Sequence, residues 1–241
     1  MLSIQALNQF YSGSHILWDV NLDVPEGSCT CLMGRNGMGK TTLLKCIMGL
    51  LPIASGGMNY GLGAESTDLA KLAADRRARL GIAYVPQGRE IFSQLTVEEN
   101  LRVGLGARRG TSIKAKKSNE IPEHIFEWFP VLKKMLKRRG GDLSGGQQQQ
   151  LAIGRAMVLD PKLLILDEPA EGIQPNIVAE IGDIIMRLNR EAKLTVLLVE
   201  QKLPFARRVA SEFRIIDKGR IVGGGDIGAL TDDLVHQHLT V

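Results

Sequence analysis

No stretch of this chain approaches the roughly 20 consecutive apolar residues that a bilayer-spanning helix needs, although apolar residues make up 44% of its 241 residues. The first residues, Met1-Leu2-Ser3-Ile4-Gln5, lack the basic start and the apolar run of a secretory leader. These absences predict a chain that neither enters the membrane nor leaves the cytosol by itself. Cysteine is scarce. Cys29, Cys31 and Cys46 are odd in number and have no CxxC spacing, which argues against a disulfide framework and against a thiolate metal site. Cys29 and Cys31 alternate along an expected strand, so they share a face as small, reduced, buried residues. His236 and His238 near the C-terminus are two imidazoles alone, better read as exposed than as metal ligands. There is no internal repeat and no low-complexity linker. Strong charge is also missing, with a net of +4. The basic runs Arg108-Arg109, Lys114 to Lys117 and Lys133 to Arg139 carry no interleaved aromatic residues. They read as solvated surface, and no nucleic-acid partner is expected.

What is present fits one α/β domain with a real core. Short apolar runs at Ser28 to Met33, Ile82 to Val85, Leu163 to Leu166 and Thr195 to Val199 predict strands of a mainly parallel sheet covered on both faces. Ser3 to Tyr11, Leu17 to Val24 and Gly57 to Tyr60, with glycines between, predict antiparallel strands beside that sheet. From about Gly88 to Val158 no strand stands out. Val97 to Gly104, Pro122 to Phe129 and Gly146 to Val158 carry helical patterning, and the polar stretch Ala107 to Asn119 reads as a mobile surface loop. The expected organisation is a single domain over 1–241. Residues 1–87 and 159–241 form the α/β core with its antiparallel part, and 88–158 form an inserted helical subdomain.

Gly34-Arg35-Asn36-Gly37-Met38-Gly39-Lys40-Thr41 fits GxxxxGK(S/T) between an expected strand and an expected helix, Thr41 to Leu50. Glycines let successive backbone N–H groups curl around a phosphate, and the helix adds its positive end. Lys40 brings a cation to the β- and γ-phosphates. Thr41 offers a hydroxyl oxygen to Mg²⁺, a hard ion, and Thr42 is expected on the α-phosphate side. Leu163-Leu164-Ile165-Leu166-Asp167-Glu168 is a buried strand ending in two acids, at the sheet edge where ligands of open α/β folds bind. Asp167 is the candidate metal ligand. Glu168 is the candidate general base for an attacking water.

Leu143-Ser144-Gly145-Gly146-Gln147 precedes a third helical pattern. It reads as a second phosphate-binding helix start, with a serine near the N-cap and two glycines. One nucleotide has no need of two such cradles from one chain. Together with the phosphate loop and the acidic strand, this motif resembles the signature of ABC ATPases over essentially the whole chain. The resemblance implies ATP and Mg²⁺ as ligands, a P-loop NTPase fold, and two subunits facing head to tail. Ser144, Gly145, Gly146 and Gln147 of one subunit would then act on the γ-phosphate held by the other. It also implies that Gln87 senses Mg²⁺ and the membrane subunit, and that Tyr11 stacks on adenine, the alternative being an ordinary strand tyrosine.

Two positions depart from the family pattern. Gln201, after Leu197-Leu198-Val199-Glu200, stands where a switch histidine is usual. Its amide can hydrogen-bond the γ-phosphate but cannot titrate near neutral pH, which leaves Glu168 as the base. Gln174, in Glu171-Gly172-Ile173-Gln174-Pro175, stands where many relatives have Asp. Both departures resemble the branched-chain amino-acid importer group. Within it, Gly88-Arg89-Glu90-Ile91-Phe92, Asp142 to Gln150 and Glu200 to Ala206 resemble the urea-transporter ATPase subunit. What this implies is an importer ATPase on the cytoplasmic face of the membrane, for urea or else for branched-chain amino acids or short amides. Its partners would be a second, related ATPase or a second copy, two permease subunits and, indirectly, a solute-binding protein.

Overall fold

The computed structural model describes residues 1–61, 66–108 and 120–239. The strands β1 (Leu2–Tyr11), β2 (Ser14–Val24), β3 (Cys29–Met33), β4 (Ser55–Tyr60), β5 (Thr67–Asp68), β6 (Ile82–Val85), β7 (Leu163–Asp167), β8 (Thr195–Val199), β9 (Glu212–Asp217) and β10 (Arg220–Asp226) form two sheets. One is antiparallel, in the order β2-β1-β4-β5. The other runs β10-β9-β3-β8-β7-β6 and is parallel except where β10 returns beside β9. The expected strands at Ile82 to Val85 and Thr195 to Val199 have those bounds, and the mainly parallel sheet with an antiparallel companion is borne out.

The central strands β3, β7 and β8 are buried throughout, and their apolar side chains divide by the two-residue period of a strand. Cys29, Cys31, Met33, Leu164, Leu166, Val196 and Leu198 enter one core. Leu32, Leu163, Ile165, Leu197 and Val199 enter the other. The two cysteines do share a buried face, and burial pushes the Cys29 thiol up to about 12, so it remains a neutral packing group. The second core is closed by α1 (Lys40–Met48), through Leu43, Leu44 and Ile47, and by the antiparallel sheet. Each such side chain contributes roughly 1.5–3 kcal/mol on burial. Arg77 on α2 (Ala74–Arg79) is itself buried and donates to the Cys46 and Ile47 carbonyls at 2.7 Å. A cation thereby satisfies the C-terminal carbonyls of the phosphate-loop helix.

The first core takes in the helices between β6 and β7: α3 (Val97–Arg108), α4 (Glu123–Trp128), α5 (Pro130–Lys134) and α6 (Gly145–Met157). Among the described residues the only strand-like pairing there is an isolated bridge between Thr96 and Arg139. Of the expected loop Ala107 to Asn119, Ala107 and Arg108 belong instead to the last turn of α3, and residues 109–119 lie outside the described residues. Thr96 and Glu99 open α3 with reciprocal bonds, the Thr96 N–H donating to Glu99 Oε2 at 2.7 Å and the Glu99 N–H to Thr96 Oγ1 at 3.2 Å. The same core also takes in α7 (Pro175–Glu191) and α8 (Leu203–Val209), and α9 (Asp232–His238) packs against it near the end of the described residues. No helix among the described residues is long and apolar enough to cross a membrane.

Candidate functional site

β3 delivers the chain into the glycine-rich loop, and α1 leaves it. Gly39, just ahead of the helix, has φ +105°, which disfavours any side chain, and a Cβ there would stand 2.9 Å from Leu17 Cδ2. Lys40 is only 5% exposed. Its ammonium donates to the Gly34 carbonyl at 2.8 Å and the Arg35 carbonyl at 2.9 Å, and stands 3.8 Å from Glu168 Oε1. Burial pulls its pKa down, opposed by the charges of Glu168, Asp167 and Glu200.

The acidic strand end lies directly beneath. Thr41 Oγ1 donates to Asp167 Oδ2 at 3.2 Å, and Tyr84 on β6 donates its hydroxyl to the same oxygen at 3.3 Å. Asp167 Oδ1 is buried with no partner. A buried carboxylate oxygen beside a threonine hydroxyl fits a hard divalent cation that takes its remaining oxygens from substrate phosphates and water. Among the described residues no cluster of three or more His, Cys, Asp or Glu offers a larger cage.

Burial also pushes the Asp167 carboxyl above the ordinary carboxylate range. The Glu168 charge adds to this, and the two hydroxyl bonds and Lys40 offset part of it. A carboxyl that binds its proton more tightly in the fold than in the unfolded chain stabilises the fold at low pH. That contribution is lost as pH rises through the folded pKa. Asp167→Asn removes the charge, so its melting temperature near pH 8 exceeds that of the nucleotide-free wild type. A relief of about 1 kcal/mol corresponds to about 2–4 °C in a domain of this size. The gap closes as the pH is lowered into the acid range. A thermal-shift series across pH checks it, and a gap independent of pH would mean that the buried charge is not its cause.

Glu168 follows β7 with φ +50°, a strained backbone for a residue with a Cβ. Its N–H is held by the Val199 carbonyl at 2.9 Å. Its carboxylate accepts from Gln201 Nε2 on one oxygen and from Gln87 Nε2 at 3.4 Å on the other. Gln87 also donates to Glu171 Oε2 at 2.9 Å, and Gln201 to Asn36 Oδ1 at 2.8 Å. Thus Asn36, Lys40, Thr41, Gln87, Asp167, Glu168 and Gln201, named from separated segments of the chain, meet in one place. Beside them opens a cleft of about 730 Å³, lined by Asn36, Lys40, Thr41, Gln87 and Glu168 together with Gly37, Gly39, Thr42 and Tyr11, the last 59% exposed. Tyr84 belongs to this site and the sequence reading missed it. Its signal, a lone hydroxyl in the apolar run of β6, is weak.

Ser144, Gly145, Gly146 and Gln147 do not line this cleft. They open α6 elsewhere on the chain. Ser144 is its N-cap and makes a capping box with Gln147, whose N–H reaches Ser144 Oγ at 3.4 Å while the Ser144 N–H donates to Gln147 Oε1 at 3.0 Å. Gly146 has a packing reason as well, since a Cβ there would stand 2.1 Å from Ile177 Cγ2 on α7. Arg89 ties this helix to the segment after Gln87. It donates to Gln148 Oε1 at 3.3 Å and to the Glu171 carbonyl at 3.2 Å. Arg155 of α6 answers by donating to the Glu90 carbonyl at 2.8 Å.

A phosphate-loop lysine above a metal-competent acid and a strained neighbouring carboxylate defines a P-loop nucleotide hydrolase. The comparisons make it more particular. The sequence pattern of the ABC transporter family matches residues 17–171. The high-affinity branched-chain amino acid transport ATP-binding protein BraG of Pseudomonas aeruginosa is 41% identical over 222 residues, spanning 92% of this chain and 91% of that protein. The probable branched-chain amino acid transport ATP-binding protein LivF of Archaeoglobus fulgidus is 36% identical over 232 residues, spanning 96% and 94%. Among solved structures, the ADP conformation of the ATP-binding cassette MJ1267 superposes with a TM-score of 0.80 at 25% identity, covering 97% of this chain and 95% of that one. The dimeric, post-hydrolysis cassette MJ0796 bound to ADP and Pi gives 0.81 at 23% identity, covering 94% and 99%. This chain belongs to the ABC transporter family and is its ATP-binding, ATP-hydrolysing subunit.

Proposed function

We propose that the chain powers an importer by sandwiching two ATP molecules between two ATPase subunits, each completing the other's site. The observation that carries this is the separation of the two phosphate-binding starts within one chain. The cleft holds Lys40 and Glu168, and Ser144 to Gln147 lie outside it. In this reading Arg35 to Gly39 present their N–H groups to the phosphates, and Lys40 exchanges its two carbonyl partners for phosphate oxygens. Tyr11 stacks on the adenine. Thr41 and Asp167 hold Mg²⁺ with help from Gln87, and when bound the ion neutralises charge on the transferring phosphoryl group. Glu168 takes the proton of the attacking water, and Gln201 orients Glu168 through its amide.

The helical segment 88–158 is the proposed signature subdomain. A groove of about 510 Å³ between Glu90 to Phe92 and α3, bordered by half-exposed Phe92 and Val103, suits a permease segment. Docking there would hold the chain peripherally at the membrane.

For the solute, the relatives' names support branched-chain amino acids over urea, which rests only on the resemblance of three short segments. The second ATPase is either a related subunit or another copy. Uptake by cells lacking this subunit, compared for leucine, urea and short amides, tests the assignment. Loss of leucine uptake alone supports the amino-acid reading, and loss of urea uptake alone reverses it. Unchanged uptake, with turnover of the purified chain stimulated by nucleic acid, would point to a non-transport ABC ATPase.

A further inference from the structure

We propose that Glu200 is a positioning residue for hydrolysis: its buried carboxylate fixes the loop after β8 so that the Gln201 amide meets Glu168. The inference rests on the roles proposed for Glu168 and Gln201.

Glu200 directly succeeds β8 and is 3% exposed. One carboxylate oxygen accepts two consecutive backbone N–H groups, from Gln201 at 2.8 Å and Lys202 at 2.9 Å. The other oxygen is buried with no partner. Its own N–H donates to the Leu32 carbonyl at 3.3 Å, on the strand that feeds the phosphate loop. Burial raises its affinity for a proton, an effect the two N–H bonds only partly oppose. A fold selected for stability alone has little reason to place a half-satisfied carboxylate here.

The gain lies in the next two residues. Two adjacent N–H groups converging on one oxygen set both peptide planes, and with them the Cα of Gln201. From there the amide nitrogen of Gln201 spends its two hydrogens on Asn36 Oδ1 and Glu168 Oε1. Lys202 extends the grip, its ammonium donating to the Ala170 carbonyl at 2.6 Å beyond the acidic pair. Three consecutive residues therefore hold three separate segments: Glu200 its own loop, Gln201 the phosphate loop and the base, and Lys202 the turn after the base. Glu200 does not line the cleft and in this proposal acts through Gln201.

Steady-state ATPase kinetics on the full chain test this, with thermal unfolding and ATP binding measured on every variant. Glu200→Ala is expected to lower kcat about tenfold while KM for ATP stays within about twofold. Glu200→Gln keeps an oxygen for both N–H groups and retains about half or more of the wild-type kcat. Glu200→Thr is measured as a second truncation, so that poor folding of the alanine variant leaves the comparison intact. In a Gln201→Ala background, removing Glu200 costs less than about a further twofold, because the intermediary is already gone. Additive losses in the double variant, or a glutamine variant as slow as the alanine one, overturn the proposal. If Gln201→Ala is slow and Glu200→Ala is wild type, only the role of Glu200 falls. If Gln201→Ala itself turns over like wild type, the role of Gln201 falls and this inference with it.

Discussion

Glu168→Gln is expected to bind ATP, accumulate as an ATP-bound dimer and turn over about 10²–10⁴-fold more slowly than wild type, the range attached to loss of a positioned general base. The change is nearly isosteric, so the strained backbone at φ +50° and the N–H bond to Val199 can persist. One amide oxygen still accepts from Gln201. The new amide nitrogen faces Gln87, whose side chain can turn to present its own oxygen. ATP binding survives because the groups that hold phosphates, Lys40 and the loop N–H groups, are untouched. Lys40 also loses a carboxylate standing 3.8 Å away, which leaves its charge freer for the nucleotide. Phosphate release gives the turnover, and size-exclusion chromatography with ATP gives the dimer. Wild-type turnover in this variant would remove Glu168 from the role of base.

The glycine-rich loop and the acidic strand end were legible because the chemistry proposed for them is local. A cradle of backbone N–H groups needs glycines and a lysine at fixed spacing within one turn, so Gly34 to Thr41 announces itself. So does an apolar strand that ends in Asp167-Glu168. The fully buried strand β8 and the nearly buried β6 were equally clear, since unbroken apolar runs of that length suit a two-sided sheet. The hairpin of β9 and β10 went unread. β9 mixes charge with apolar residues, and β10 carries Gly223-Gly224-Gly225, poor strand formers. Yet β9 pairs with β3 at the heart of the sheet. The polar clasps were hidden for another reason. Arg77 reaches carbonyls 30 and 31 residues away, and Tyr84 meets Asp167 across 83. No short pattern records such a pairing.

Ser144→Arg is expected to leave ATP binding intact and to abolish hydrolysis, and the reason separates a composite site from a self-contained one. Ser144 is outside the cleft of its own chain, so a bulky cation there cannot crowd the nucleotide held by that chain's Lys40. It does remove the N-cap of α6, at a cost of about 1 kcal/mol, which thermal unfolding measures separately. Lys40→Ala is inactive for the complementary reason, having lost its grip on phosphate while keeping an intact signature. If two copies of the chain form the working unit, mixing these inactive variants in equal amounts rebuilds one complete site in every mixed dimer. It joins the phosphate loop of the Ser144→Arg chain to the signature of the Lys40→Ala chain. Random pairing makes half the dimers mixed, each with one of its two sites intact, so recovery reaches about a quarter of wild-type turnover when the sites act independently. Near-wild-type activity in Ser144→Arg alone would mean that a chain completes its own site. If the native partner is instead a related ATPase, the same logic moves the loss to the partner's nucleotide. A preparation of the two different chains then loses hydrolysis at the site where Ser144→Arg supplies the signature and keeps it where Lys40 supplies the phosphate loop.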